Sequence, residues 1–303
     1  MVFGSGESIW FARSSDNGRT FGKASKVAEL PKMLLGRHRG PRLVISGNTM
    51  IVSAIASDLF FWRSTDGGKT WSQPAVINDR PTAAREGLHA MAADGEGHLA
   101  AAWLDDRSGG KQLYGAFSND AGATWSKNVL LYKGPGRTIC ECCHPSLVSV
   151  GKGEFAAMWR NLVDGNRDFY ALRVRDGEVI SPAEKQGQGS WKLNACPMDG
   201  GGIALLHGGL VSAWRREHDL FLAETGKPEV KIGSGQDIAL AVNAKGAYTA
   251  WSTANGIEAR LPGAAAPQHL SDAGGFPALL TLPDGSILAA WEENGSIATR
   301  RLE

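Results

Sequence analysis

The sequence predicts an all-β protein, specifically a β-propeller whose blades each contain four antiparallel strands. Three observations support this prediction: short runs in which apolar and polar residues alternate, glycine-containing turns between those runs, and a tryptophan that closes each of several similar hairpins. The 303 residues include 39 glycines, and no long segment has the three- and four-residue spacing of apolar residues that a helix requires.

The hairpins recur as one repeating unit. The tryptophans that close them are between 37 and 56 residues apart, at Trp103, Trp159, Trp214, Trp251 and Trp291. A sixth copy, residues 41–56, has Ile55 at the corresponding position. A polar loop and a further strand follow each hairpin, and four short strands at this spacing are typical of a propeller blade. A β-sandwich with coincidental hairpins is the alternative.

We expect residues 1–303 to form a single propeller domain of six blades, with seven as the alternative count. Six blades result if strands from residues 8–30 and residues 275–303 share one blade and so close the ring. Residues 9–13 and 297–301 both resemble third strands, however. A seventh blade, incomplete because the N-terminus is truncated, would explain that duplication.

A more specific motif occurs three times, at residues 15–21, 65–71 and 119–125. Each copy contains an aspartate, a glycine, a threonine and an aromatic residue; the aspartates are Asp16, Asp66 and Asp120. An aspartate can accept backbone N–H bonds in a turn, and glycine supplies a positive φ. These residues resemble the Asp-box, or BNR, repeat of the sialidase-like propellers. The resemblance spans about residues 8–303 and implies structural turns, so these aspartates are not candidates for acid–base catalysis.

Connectivity divides the loops between two faces of the propeller. The Asp-box turns lie on one face, whereas the loops between second and third strands and the connections between blades lie on the other. The resemblance implies that this other face carries the ligand site. Arginines there could hold a carboxylate through paired hydrogen bonds, although charged loops are also often simply solvated. The candidate ligand-binding residues are Arg39, Asp105, Asp106, Arg107, Arg160, Arg167, Asp168, Asp199, Arg215 and Glu217.

The resemblance implies an exo-sialidase-like glycoside hydrolase that acts on acidic sugars. Such an enzyme needs an arginine clamp, an acid, and a tyrosine nucleophile assisted by a glutamate. None of the four tyrosines is flanked by an obvious catalytic glutamate, so the catalytic residues are unknown at this point and catalysis is left open. The expected partner is a small molecule or a glycan.

The four cysteines lie in two blade connections that enter adjacent blades. The segments around them resemble a cysteine-containing branch of the same family. The candidate metal ligands are Cys140, Cys142, Cys143, His144, Cys196 and Met198. Thiolate, imidazole and thioether groups suit Cu(I), or Zn(II) if the geometry is tetrahedral. A non-catalytic propeller that binds such a metal, or a partner, through these loops is therefore the second candidate function.

Other chemistries remain open for the cysteines. Disulfides could join Cys140 or Cys143 to Cys196 in an exported protein. Residues 140–144 also fit the C-x-x-C-H pattern of c-type haem attachment, although the additional Cys142 argues against it. Free thiols with a redox role are the last alternative.

Composition and charge exclude several other classes. Lys and Arg number 32 and Asp and Glu number 31, so the net charge of +1 gives no basis for nucleic-acid binding. The sequence contains no run of about 18 apolar residues, so it predicts no membrane span. Residues 1–10 do not have the features of a signal peptide. The clustered cysteines and the Asp boxes nevertheless favour a periplasmic or extracellular location.

Overall fold

The computed structural model describes residues 1–302, which form seven antiparallel sheets and contain no helix. Helices that could cross a membrane are accordingly absent from this part of the chain. The sheets are the blades of a seven-bladed β-propeller. We number the blades in chain order; they cover residues 2–29, 42–76, 89–132, 146–185, 201–234, 236–271 and 275–302.

Blades 1 to 3 contain eleven strands, and sequence neighbours pair within each blade. They are β1 (Val2–Ser5), β2 (Ser8–Phe11), β3 (Ser25–Glu29), β4 (Arg42–Ser46), β5 (Thr49–Ala56), β6 (Asp58–Ser64), β7 (Ala75–Val76), β8 (His89–Ala93), β9 (Leu99–Asp105), β10 (Gln112–Ser118) and β11 (Val129–Tyr132).

Blades 4 to 7 follow the same pattern, except that the outer edge of blade 4 is split between two short strands that both pair with β14. The strands are β12 (Ser146–Gly151), β13 (Glu154–Arg160), β14 (Phe169–Arg175), β15 (Glu178–Val179), β16 (Glu184–Lys185), β17 (Gly201–Leu206), β18 (Gly209–Arg216), β19 (Asp219–Glu224), β20 (Val230–Ser234), β21 (Gln236–Asn243), β22 (Gly246–Thr253), β23 (Gly256–Arg260), β24 (Gln268–Ser271), β25 (Gly275–Thr281), β26 (Ile287–Glu293) and β27 (Ser296–Leu302).

The structure confirms the alternative count of seven blades, and the preferred count of six is corrected. The two ends of the chain form separate sheets of three strands each. In blade 1 the chain turns at Gly6 (φ 58°), and β1 pairs with β2; the sequence analysis did not recognise β1 as a strand. Blade 7 contacts blade 1 through Arg301, which donates a hydrogen bond to the carbonyl of Asn17 at 2.9 Å. Side chains therefore join the two terminal blades.

The core lies on the second strands of the blades. Every residue of β9 and β13 is buried, and Trp103 and Trp159 in these strands are 0 % exposed. Consecutive buried alanines, such as Ala101 and Ala157 with their neighbours, precede the tryptophan in each of these strands. Because neighbouring blades cover both faces of these strands, the hairpins read as nearly continuous apolar runs ending in tryptophan.

The three aspartate-containing motifs form the same turn before the last strand of blades 1, 2 and 3. In blade 2, Asp66 accepts hydrogen bonds from the backbone N–H of Thr70 at 3.0 Å and from its hydroxyl at 2.6 Å. The same two bonds form around Asp16 and Asp120. Hydrogen bonds from Thr124 hold the pKa of Asp120 at about 2. These carboxylates therefore brace turns, and the candidate site is on the face formed by the blade connections.

Candidate functional site

The first strands of blades 2 to 7 (β4, β8, β12, β17, β21 and β25) pack side by side in chain order. Because the blade connections lead into these strands, side chains from several blades meet at one end of them. Five such residues are in contact: His38, His144, Asp199, Asp237 and Phe276. We call these five residues the axial cluster.

His38 is the centre of the axial cluster. Its Nε2 atom lies 2.8 Å from Oδ1 of Asp237, although 199 positions separate the two residues. Its ring lies against that of His144, with centroids 4.4 Å apart, and meets the edge of Phe276 at 5.8 Å. Asp199 completes the cluster, since its Oδ2 accepts the backbone N–H of Asp237 at 3.2 Å.

Three residues of the axial cluster have a left-handed backbone. The φ angles of His38, Asp237 and Phe276 are 65°, 57° and 53°. Non-glycine residues seldom adopt such angles, and the surrounding contacts must hold them in place. One such contact is the bond of 2.5 Å from Arg42 Nη2 to the carbonyl of His38. Because strained backbone concentrates at functional sites, these angles support a functional role for the cluster.

Two groups in the cluster, Asp199 and His144, have shifted pKa values. Burial raises the pKa of Asp199, and the nearby Arg160, His38 and Arg215 only partly oppose that effect. Arg215 donates to Oδ2 of Asp199 at 3.1 Å, whereas Oδ1 has no hydrogen-bond partner within residues 1–302. Burial also lowers the pKa of His144 well below its usual value, with a further contribution from His38. Asp199, whose pKa is raised, thus lies beside Asp237, which binds His38. Such an arrangement is suited to proton transfer.

By distance alone, the axial cluster could also hold a metal ion. One ligand atom from each of His38, Asp199 and Asp237 lies within 4.8 Å of the others. Arg215 already binds Asp199, and Arg42 binds the backbone of His38. The positive charge of these guanidinium groups opposes binding of a divalent cation here.

Three arginines beside the cluster have no carboxylate within ion-pair distance in the described chain: Arg42, Arg160 and Arg167. Arg160 is 1 % exposed, and it donates to the backbone carbonyls of Asp199, Arg167 and Arg215. Arg42 likewise donates to backbone carbonyls, and burial lowers its pKa to about 10. Buried charges are usually paired, so this excess of positive charge indicates a site for an anion.

The candidate arginines of blades 4 and 5 converge as the sequence suggested. Arg160, Arg167 and Arg215 line one narrow gap of about 10 Å³. Arg167 also lines a larger cavity of about 740 Å³, formed by residues 135–136, 162–165 and 192–194. This cavity is on the same face as the axial cluster, because loops between second and third strands and blade connections form it. Arg167 therefore links the cavity to the arginine-lined gap.

The candidate residues near blade 3 instead bind one another. Arg107 holds the buried carboxylate of Asp105 with two hydrogen bonds of 2.9 Å and stacks over Tyr114 at 4.3 Å. A second network consists of Arg39, Arg85, Glu86, Asp106 and Lys111; Lys111 Nζ lies 2.9 Å from Glu86 and 3.2 Å from Asp106. These charges are largely neutralised within the protein.

The remaining ligand candidates differ in exposure. Asp168 pairs with Lys185 at 3.0 Å and accepts the backbone N–H of Trp191 at 2.9 Å. Glu217 is exposed in the turn between β18 and β19, where its φ is 59°. Asp168 therefore fixes the connection after β16, and Glu217 faces solvent.

Three of the six predicted soft ligands form a thiol cluster, which we define as Cys140, Cys142 and Cys143. The Cys140 sulfur lies 3.5 Å from that of Cys143 and 3.8 Å from that of Cys142. All three sulfurs lie within 4.8 Å of one another. Arg167 Nη1 donates to the Cys140 sulfur at 3.1 Å. Hydrogen bonds from the other two thiols, assisted by Arg160 and Arg167, hold the pKa of Cys140 far below its usual value.

The other three predicted soft ligands lie outside the thiol cluster. His144 is half-buried with its ring against that of His38, Cys196 is exposed, and Met198 is half-buried. All four cysteines are free thiols, so the alternative bridges from Cys140 or Cys143 to Cys196 are not formed. With His144 enclosed in the axial cluster, the C-x-x-C-H segment is not arranged to hold a haem.

Sequence reasoning placed His38 on the ligand face but did not select it, Asp237, Phe276 or Arg42 as candidate site residues. The signal that could have found them is their position, because each lies at the start of a first strand, as His144 and Asp199 do. Their mutual contacts depend on the closed ring and leave no local pattern in the sequence.

Two histidines with lowered pKa values, His89 and His144, predict that acid destabilises the fold. Burial lowers the pKa of both His89 and His144 well below the usual value, with Arg42 and His38 respectively adding to the effect. Below about pH 6.5 the unfolded chain takes up protons that the folded protein does not bind, so the free energy of unfolding falls as pH falls. We expect up to about 1.4 kcal/mol per pH unit for each histidine.

Guanidinium denaturation between about pH 7.5 and 5.5 measures this slope. His89→Gln should make the dependence on pH shallower, whereas His218→Gln, at an exposed position, should leave it as in the wild type. Equal slopes for the wild type and His89→Gln would contradict the prediction.

Comparison with known proteins shows the fold alone. No family model and no curated protein matches the chain. Among solved structures, the Hadza microbial sialidase Hz136 superposes with a TM-score of 0.58 at 16 % identity, covering 88 % of this chain and 65 % of its own. This chain therefore spans slightly less than two thirds of that sialidase's length.

Two fungal enzymes are similar to the same degree. An α-L-arabinanase from Penicillium chrysogenum, in complex with arabinobiose, has a TM-score of 0.57 at 15 % identity, with 98 % of this chain and 85 % of that chain covered. The α-L-arabinofuranosidase Arb93A from Fusarium graminearum, bound to an iminosugar inhibitor, has a TM-score of 0.58 at 14 % identity, with 89 % and 92 % covered. The chain thus has the propeller fold found in sialidases and arabinanases.

Proposed function

We propose that the protein is an exported, glycoside-hydrolase-like propeller that binds an acidic sugar on the face formed by its blade connections. The observation that carries this proposal is the set of guanidinium groups on that face without a carboxylate partner in residues 1–302: Arg42, Arg160 and Arg167. A carboxylate on the sugar would supply the missing negative charge. The sugar-bound propellers of the same fold support a carbohydrate as the ligand.

Arg167 and Arg215 are the side chains best placed to contact the carboxylate. Both are partly exposed, whereas Arg160 lies behind them with its donors directed at backbone carbonyls. In the described chain, neither Nη2 of Arg167 nor Nη2 of Arg215 makes a hydrogen bond. These free donors can bind a planar carboxylate.

The tyrosines favour binding over sialidase-type hydrolysis. Tyr132 accepts a hydrogen bond from Asn161, and Tyr248 is buried and bonded to Asn243. Tyr114 lies beneath Arg107, and Tyr170 lies against Trp159. Because each tyrosine packs outside the axial cluster, we expect no cleavage of a fluorogenic sialoside.

Calorimetric titration with N-acetylneuraminic acid and glucuronic acid, and with galactose as the neutral sugar, tests the proposal. We expect binding of an acidic sugar only. Arg167→Ala and Arg215→Ala should each weaken binding by roughly 10- to 100-fold, which corresponds to the loss of a hydrogen bond to a charged group. Arg173→Ala is the matched control, since Arg173 pairs with Glu154 towards the other end of β14.

Two results would count against this function: equal binding of galactose, or no binding of either acid. Fractionation of cells that carry the native gene tests export separately, and recovery of the protein in the cytosol would refute that part of the proposal.

A further inference from the structure

We propose that the thiol cluster is a Cu(I) site in which the sulfurs of Cys140, Cys142 and Cys143 are the three ligands. This site shares Arg167 with the proposed sugar contacts, but its ligands are three thiols, so copper binding and sugar binding can be tested separately. Soft thiolate ligands suit Cu(I), Zn(II) and iron–sulfur clusters. The proposal stands on the geometry of the sulfurs, on the charge around them and on the exposure of one ligand.

The spacing of the sulfurs fits a shared metal ion. Metal–sulfur bonds of about 2.3 Å place two ligand sulfurs about 3.8 Å apart in a tetrahedral site and about 4 Å apart in a trigonal one. The recorded separations of 3.5 and 3.8 Å are near these values, whereas a disulfide requires about 2.05 Å. The three thiols are therefore placed around a common centre and are not bonded in pairs.

The charge of the surroundings suits an anionic metal–thiolate group. Three thiolates and one Cu(I) carry a net charge of −2. Arg167 contacts the Cys140 sulfur at 3.1 Å, and the buried Arg160, which has no carboxylate partner in the described chain, lies beside the cluster, since its backbone carbonyl accepts the N–H of Cys140 at 3.1 Å. The two guanidinium groups balance the charge of the metal site, and the metal site in turn gives Arg160 a counterion.

Coordination number favours Cu(I) over Zn(II). Structural zinc sites almost always use four ligands, whereas the thiol cluster offers three ligand atoms within residues 1–302. Cys140 and Cys143 are each 1 % exposed, whereas Cys142 is half-buried. A Cu(I) ion can therefore enter at Cys142 and be enclosed by the other two sulfurs. Binding changes no oxidation state, because each thiol that is still protonated releases its proton to solvent as the Cu–S bond forms.

Titration of the reduced protein with Cu(I) under anaerobic conditions, in competition with bathocuproine disulfonate, tests the proposal. We expect one Cu(I) per chain and an X-ray absorption spectrum of three sulfur neighbours. Cys142→Ser should lower the affinity by at least about 100-fold, since even residues that only support a ligand cost 10- to 100-fold. Cys196→Ser, at the exposed cysteine outside the cluster, should bind as the wild type does.

Cys142→Ser is the principal variant, because a substitution at its half-buried position should disturb the fold least. Cys143→Ser is the second variant. Circular dichroism melting shows whether each variant is folded. Several results would overturn the inference. These are no stoichiometric copper in the wild type, equal loss of affinity in Cys196→Ser, a four-coordinate Zn(II) site in competition with Cu(I), or a Cys140–Cys143 disulfide that resists dithiothreitol. If the wild-type protein binds copper but no acidic sugar, the proposed function is refuted and the inference about copper stands.

Discussion

Replacing Arg160 with alanine is expected to lower the free energy of unfolding by about 3–5 kcal/mol. The guanidinium group connects blades 4 and 5, because it donates to the backbone carbonyls of Asp199, Arg167 and Arg215. Its removal takes a charged donor away from these carbonyls, at about 1–3 kcal/mol for each one that stays buried and unpaired. Part of this loss of stability is offset, because the alanine variant no longer has to bury a cation that lacks a carboxylate partner.

The side chain of Arg160 also packs between two aromatic rings. Its guanidinium carbon lies 4.2 Å from the centre of the Phe169 ring and 5.3 Å from that of Trp191. Arg160→Lys keeps a positive charge but cannot reproduce the planar group that serves several carbonyls at once. We therefore expect the lysine variant to lose most of the same stability.

Guanidinium denaturation and thermal melting measure the effect, with Arg175→Ala as the control. Arg175 is more than half exposed, and its partner Glu154 also binds Arg173, so its loss should change stability by less than about 0.5 kcal/mol. A loss below about 1 kcal/mol in Arg160→Ala would show that the three carbonyls find other donors.

The repeating parts of the fold could be predicted from sequence because local physics repeats in each blade. The second strand of a blade is covered on both faces and must be apolar, so its tryptophan and alanines mark it wherever it occurs. The aspartate turns are equally local, since all the bonds to Asp66 come from residues within four positions of it. Such features identify strands and faces without knowledge of the whole ring.

The candidate site was only partly predictable because its contacts depend on ring closure. His38 and Asp237 meet across 199 positions, and no local pattern records that pairing. Of the ligand residues that the sequence predicted, Arg160, Arg167 and Arg215 line one gap in the structure. The sequence could not show that the guanidinium N–H groups of Arg160 donate to backbone carbonyls, because those bonds depend on where three separate segments of the main chain lie.

The number of blades was difficult to predict from the sequence for a related reason. Both terminal segments contain a strand of the third type, and sequence alone allows them to share one sheet or to form two. Pairing of β1 with β2 gives the N-terminal segment a sheet of its own. The choice thus rested on four residues, Val2–Ser5, that show no marked alternation of polar and apolar side chains.

Replacing Gly200 with alanine is expected to disrupt the axial cluster. A Cβ atom at this position would lie 2.1 Å from Cε1 and Nδ1 of the His144 ring, far inside van der Waals contact. The His144 ring lies against that of His38, with centroids 4.4 Å apart, so we expect that moving it aside displaces His38 from Asp237. Overpacking of this kind typically costs about 1–3 kcal/mol, and we expect the upper part of that range.

A double-mutant cycle separates this steric effect from a general change in the backbone. Gly200 does not have a positive φ, so alanine is acceptable to the main chain, and the cost should arise from His144 alone. His144→Ala removes the clashing ring, and Gly200→Ala should therefore cost almost nothing in that background. Gly136→Ala is the control, because a Cβ there has no atom within 4 Å. If Gly200→Ala were equally costly with and without the imidazole, the axial cluster would not be the packed unit described above, and its histidines would have to be held by other contacts.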